Sequence, residues 1–226
     1  LPKKTTEIAI EKSDLQKKRI GRRARRCIET REKIFRVALQ LLAERGFSAT
    51  TIDAIAEGAD IGKGTFFNYF ENKESILLQF QEMQIRRVKE FVAESMNSDK
   101  TLIALIYKLA VTMTAEQQKS PTLFRSLITA IFSNDAIRYK MAEGTGQGRE
   151  MLANLIGTRQ QTGEIRSDLP AKEIARSLQS MVLGTTLVWS LAPENALEDH
   201  LSDMVNVFVK GIQPECAKQA DNRGGN

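Results

Sequence analysis

The densest group of side chains able to do chemistry is Lys63, Gly64, Thr65, Phe67 and Asn68. A cation, a hydroxyl and a carboxamide packed so closely suit polar contact with a nucleic acid better than bond making. Lys63 can reach a guanine edge or a phosphate, Thr65 a base or a thymine methyl, and Asn68 an adenine edge or the backbone. Gly64 lets the main chain approach closely. Thr51 and Lys73, each in the first turn of an expected helix, are placed to hold phosphates through their side chains and nearby amides.

Other constellations fall short. Glu143 and Glu150 have no His, Ser or Cys at a telling spacing, so no catalytic set emerges and none is expected. The two cysteines, Cys27 and Cys216, and the single histidine, His200, cannot assemble a metal site of ordinary spacing. Gly144, Gly146 and Gly148 imitate a phosphate-binding loop, but no strand precedes them and no Gly-Lys-Ser or Gly-Lys-Thr follows. They read as a loop between helices. No cofactor is expected.

The elements that must position the polar group are helices. Thr30 is an expected cap for a helix in which Ile34, Val37, Ala38, Leu41 and Leu42 recur at helical spacing, and Gly46 closes it. Thr50 with Asp53 fits a capping box for a second short helix ending near Glu57. After a tight Gly58–Gly62 connection, a third short helix spans Lys63–Phe70, which makes a helix-turn-helix pattern with the polar residues on its exposed N-terminal side. A long fourth helix is expected from Asn72 to about Glu94.

Beyond it no strand-like alternation occurs, and helices are expected over 99–117, 122–133, 134–142, 147–162, 170–191 and 195–212. Pro121, Pro170, Pro193 and Pro214 fall at their edges. The fold class expected is therefore all-α. It divides into a basic, flexible arm over 1–27, a DNA-binding head over 28–75, a helical body over 76–213 and a disordered tail over 214–226.

Charge supports that division. Net charge is +5 over 226 residues, but residues 1–31 hold eleven Lys or Arg against four Asp or Glu, while 74–226 hold 17 against 18. A polyanion suits the N-terminal part and a different task the neutral body. Arg22, Arg23, Arg25 and Arg26 could enter a minor groove or follow phosphates, or simply be solvated. The longest uncharged run, Ser177–Pro193, is short and rich in Ser, Thr, Gln and Gly, a poor membrane span. No export signal is evident, and a cytoplasmic location is expected.

The run Gly46-Phe47-Ser48-Ala49-Thr50-Thr51, with Ile55-Ala56, Lys63-Gly64-Thr65-Phe66-Phe67-Asn68-Tyr69-Phe70 and Asn72-Lys73-Glu74, resembles the TetR family of transcriptional regulators over residues 29–80. That resemblance implies an Ω-shaped homodimer with about nine helices per subunit, its two heads reading a palindromic operator. It also implies repression that is relieved when a small molecule enters the body. Carried over by position, Thr51, Lys63, Gly64, Thr65, Phe67, Asn68, Tyr69 and Lys73 form the DNA-contacting set, and Ile61, Phe66 and Phe70 the head's core. Three positions depart from the family's usual residues: Asp60 stands for Gly, Gly62 for Ser and Phe67 for Tyr. Phe67 has no hydroxyl to offer a phosphate.

For the body, Met83, Leu105, Leu109, Phe124, Leu127, Ile131, Met151 and Leu155 are available to line an apolar effector pocket, or to pack as plain core. The last two helices supply Leu178, Met181, Val182, Val188, Trp189, Leu197, Leu201, Met204, Val205 and Phe208 as a dimer interface, with an intramolecular core as the other reading. The expected function is a DNA-binding regulator, a repressor released by a hydrophobic ligand. The alternative keeps the DNA-binding head and gives the body a protein partner. An enzyme is the least favoured reading.

Overall fold

The computed structural model describes residues 21–96, 98 and 100–214. Among them the chain forms nine α-helices and no strand: α1 Arg22–Ala49, α2 Ile52–Gly58, α3 Lys63–Phe67, α4 Ser75–Ser95, α5 Leu102–Thr114, α6 Pro121–Phe132, α7 Asp135–Gln161, α8 Ala171–Leu191 and α9 Leu197–Ile212. A short 3-10 turn, Gln117–Lys119, joins α5 to α6. No helix among these residues is long and apolar enough to cross a membrane. Residues 1–20 of the expected arm and 215–226 of the expected tail, with Cys216, lie outside the described residues.

Several boundaries differ from expectation, each for a local reason. The first helix begins at Arg22 rather than at a Thr30 cap, so the last part of the basic arm is helical. Arg and Ala favour helix there, and Arg25 pairs with Glu29 one turn on at 2.8 Å. Gly46 breaks the helix with φ 79° and ψ 173°, a conformation essentially restricted to glycine, and one more turn follows to Ala49. The cap of α2 is Thr51, whose hydroxyl accepts from the Ala54 amide at 3.1 Å. Thr50 is instead fully buried and donates to the Gly46 carbonyl at 2.8 Å. Asn72 precedes α4 as a cap, its carbonyl oxygen accepting from the Ser75 amide at 2.9 Å.

The largest correction concerns the three glycines. Asp135–Gln161 form one helix, α7, and Gly144, Gly146 and Gly148 lie inside it. Gly144 and Gly148 are buried, one turn apart. A Cβ on Gly144 would collide with the side chain of Gln81 on α4, so this glycine permits close approach of the two helices.

Two apolar cores organise the helices. One joins the head to the middle of the chain: Ile34, Ala38 and Leu42 of α1, Ile55 of α2, Phe66 of α3 and Phe80 of α4 pack with Leu123 and Leu127 of α6 and Ile137 of α7. The other fills the body between α4, α5, α7, α8 and α9. The head therefore shares its core with α6 and α7 instead of ending at residue 75. Polar ties reinforce the seam, since the Ser126 hydroxyl donates to the Leu42 carbonyl at 3.0 Å and Ser120 to the Ala43 carbonyl at 3.2 Å.

Candidate nucleic-acid interface and body cavity

The short helices α2 and α3 are joined by a Schellman turn. The Ile61 amide donates to the Ala56 carbonyl at 3.0 Å and the Asp60 amide to the Glu57 carbonyl at 2.9 Å, while Ile61 packs on the head core. Asp60 takes the left-handed position that this turn demands, with φ 52°, which explains why glycine suits the site. Replacing Asp60 by Gly is expected to hold or raise stability by up to about 1 kcal/mol, whereas Asp60→Val should lose about 1–2 kcal/mol. Denaturant unfolding of the two variants checks this.

Phe66 and Phe70 anchor α3 from behind, both buried, with ring centroids 5.6 Å apart. Their burial leaves Lys63, Gly64, Phe67 and Asn68 exposed and Thr65 and Tyr69 half-buried. Gly62 begins the helix without a side-chain cap. Phe67 is 48% exposed and stacks edge-on against Phe66. It offers only an apolar surface, suited to a sugar or a thymine methyl. Lys63 reaches Asp53 of α2 at 2.9 Å in a solvent-exposed pair that a phosphate could displace. Thr51 uses an acceptor lone pair in its cap, so its hydroxyl proton remains free to donate.

Lys73 behaves differently from the other residues of the set. Its ammonium donates to the Phe47 carbonyl at 2.7 Å and the Thr50 carbonyl at 2.8 Å, and lies 4.0 Å from the centre of the Phe47 ring. Burial pushes its pKa below that of an ordinary lysine, against the raising effect of Glu74. It clamps the end of α1 to the start of α4. Nothing in the sequence marks this role, because the carbonyls it meets carry no side-chain signature.

Arg22, Arg23, Arg25 and Arg26 are all exposed on the first turns of α1. Their helical form corrects the expectation of a flexible arm. A helix about 10–12 Å across does not itself enter a minor groove about 6 Å wide, so only the arginine side chains, and not the main chain, are free to reach a nucleic acid.

The body holds a cavity of about 240 Å³, open to solvent, walled by α4 to α8 and the 3-10 turn. It lies on the seam between the two cores: Phe80 belongs to the head's core, and Val88, Leu109, Leu152 and Leu178 to the body's. Of the eight side chains expected to line a pocket, Leu109 and Phe124 do. Leu105 and Leu155 border a separate void of about 30 Å³. Leu127, Met83 and Ile131 pack in or against the head's core, and Met151 against the body's. Gln81, Gln84, Gln117 and Gln179 also line the cavity. Polar residues of this kind read as solvated from sequence, and only the packing brings them inward.

The dimer expectation is also redistributed. Leu178, Trp189, Leu197, Leu201, Met204, Val205 and Phe208 are buried within the subunit and belong to its core, and Met181 and Val182 pack against that core. Val188 alone of the ten is exposed, at 69%. It stands beside Leu183, Leu187 and Leu191, which follow one another along α8 and are likewise exposed, while Val207 is exposed on α9.

Comparison with known proteins agrees with this geometry. Residues 34–80 match the family model described as "Bacterial regulatory proteins, tetR family". The HTH-type transcriptional repressor KstR2 of Rhodococcus jostii is 28% identical over 66% of this chain and 74% of its own length. The fatty acid metabolism regulator protein of Bacillus subtilis is 27% identical over 80% of this chain and 94% of its own. Among solved structures, FadR from Bacillus subtilis in complex with stearoyl-CoA superposes with a TM-score of 0.68, at 21% identity, over 80% of this chain and 99% of that one. The helix-turn-helix with its buried Phe66 and the match across it identify residues 34–80 as a DNA-binding head of the TetR family of bacterial regulatory proteins, on a helical body similar to those of the regulators compared.

Proposed function

We propose that this protein is a dimeric, sequence-specific DNA-binding repressor, released from a palindromic operator when an apolar molecule occupies the body cavity. The observation that carries the reading is the position of that cavity on the seam between the core shared with the head and the core of the body. A ligand there pushes on both.

Helix α6 is the element best placed to pass the change on. Leu123 and Leu127 pack in the head's core, Phe124 lines the cavity, Arg125 donates to the Ser190 carbonyl on α8, and Ser126 donates to α1. Five successive side chains thus address the head, the ligand and the helix that bears the exposed apolar row. Two recognition helices must sit about 34–36 Å apart to read successive major grooves, so a small rotation of each head breaks register. The ligand must bind the DNA-free arrangement more tightly, and operator and ligand then weaken each other reciprocally.

In this reading Lys63, Thr65 and Asn68 read bases, Gly64 admits the backbone, Phe67 and Tyr69 pack against sugar or a thymine methyl, and Thr51 and the α1 arginines hold phosphates. The relatives favour an effector with a fatty chain, since one is named a fatty acid metabolism regulator and one structural neighbour holds stearoyl-CoA. The test is selection of genomic fragments on the purified protein at two salt concentrations, because salt strips phosphate-only binding. One palindromic motif should survive high salt, and Lys63→Ala should weaken binding to it by about 5–150-fold. Retention that shows no motif and vanishes with salt would refute the reading.

A further inference from the structure

Of the side chains that line the cavity, only Thr145 of α7 and Leu183 of α8 are exposed, so its mouth lies between these two helices. The rim is held in place there. Gln179, one turn before Leu183, donates to the Thr145 carbonyl at 3.1 Å and accepts from Arg149 at 3.3 Å, which ties α8 to α7. No charged side chain lines the cavity.

Leu183 belongs to a second surface as well. It is 51% exposed, and Leu187 and Leu191 follow it at intervals of four residues with Val188 beside them, each of them exposed. The residue that begins this apolar row is thus a wall of the cavity, and the mouth lies at the row's end. From Ser177 to Pro193 the chain carries no charged residue. A helix with one face in water ordinarily carries charge on that face. The inward side of α8 walls the cavity over this stretch, and the outward side is apolar instead of charged. A second copy of this chain is the occupant that fits such a face. A palindromic operator brings two copies together, a two-fold pair sets one patch against itself, and an uncharged apolar row meets itself without repulsion.

Resting on the reading of the protein as a dimer with its effector in this cavity, we propose that the second copy covers the cavity mouth, so that each effector site is completed by the partner subunit. A length rule follows. On the scale at which roughly 150 Å³ takes a benzene ring, the cavity of about 240 Å³ holds about ten non-hydrogen atoms. A longer chain passes Leu183 and emerges into water from a monomer, but stays buried against the second copy in a dimer.

Primary alcohols from 1-hexanol to 1-dodecanol test the rule, since they are uncharged and grow by one CH2 at a time. Equilibrium dialysis of the full chain against radiolabelled alcohols should show affinity rising about fourfold per added CH2 through the whole series. In the double variant Val188→Asp, Leu191→Asp, which changes no lining residue, the rise should stop near about nine carbons, leaving 1-dodecanol bound about 10–60-fold more weakly than by the wild type. Wild type diluted until sedimentation shows a monomer should lose the long end of the series in the same way. A wild-type series that levels off near that length overturns the proposal without recourse to any variant, as does absence of binding. A rise that continues unchanged in either monomer overturns it too, and so does a double variant that stays dimeric. Operator affinity of the wild type with saturating 1-dodecanol separates the two readings. If the length pattern appears and the operator complex persists, the shared site stands and the regulatory reading falls. If the alcohol releases the operator while both monomers keep the full series, the regulatory reading stands and the shared site falls.

Discussion

Replacing Val188 and Leu191 together by Asp is expected to leave a folded monomer whose operator affinity falls by roughly 10²–10⁴-fold, the range lost when a bivalent contact becomes monovalent. Both side chains are 69% exposed in the isolated subunit, and with Leu183 and Leu187 they form an apolar surface along α8 that a monomer gains nothing by presenting to water. A carboxylate at either position would stay solvated in the monomer, so the fold survives. Buried against a second copy it would lack a partner, so association fails. Sedimentation equilibrium reads the first effect and operator titration the second. A variant that remains dimeric would move the interface away from this face. By contrast, Leu201→Asp, at a position with no exposure inside the subunit, should unfold the body, which distinguishes the two kinds of apolar residue on α8 and α9.

That distinction marks where sequence reading stopped. The stripe Leu197, Leu201, Met204, Val205 and Phe208 has the helical period of one buried face, and period alone does not say whether the face meets its own chain or another. The subunit's body core takes all five. Within the head the outcome was different, because turn chemistry and aromatic spacing are local: Phe66 and Phe70 could only anchor α3, and Asp60 occupies the position where a Schellman turn needs a left-handed residue. The glycines of α7 misled for the opposite reason. Three glycines with polar neighbours look like a loop, and their helical state depends on contacts far along the chain, with Gln81 filling the space beside Gly144. Gln117 carries no sequence signal at all, since it sits in a polar run, Glu116–Lys119, and only the packing of α4 to α8 turns it inward.

Lys73→Met is expected to cost about 2–4 kcal/mol of head stability, the sum of charge-assisted hydrogen bonds and a cation–aromatic contact. Two carbonyls, those of Phe47 and Thr50, lose the ammonium that now satisfies them, and the Phe47 ring loses its cation. Methionine keeps the length and apolar stem of the side chain, so the loss reports the charged group itself. Lys63→Ala is the contrasting variant. Its pair with Asp53 is exposed on both sides, so stability should change by no more than about 0.5 kcal/mol while operator binding weakens. The dependence of operator affinity on salt then separates a clamp from a phosphate contact. Each phosphate contact removed lowers the slope of log K against log salt by about 0.9. Lys73→Met should leave that slope unchanged at a temperature where the head is still folded, and head amides should exchange with solvent faster even without DNA. A slope reduced by one contact, with normal head stability, would return Lys73 to the DNA-contacting set. The geometry argues against that outcome, because an ammonium that leaves two backbone acceptors for a phosphate must break the tie that holds α4 against α1 and the recognition helix in place.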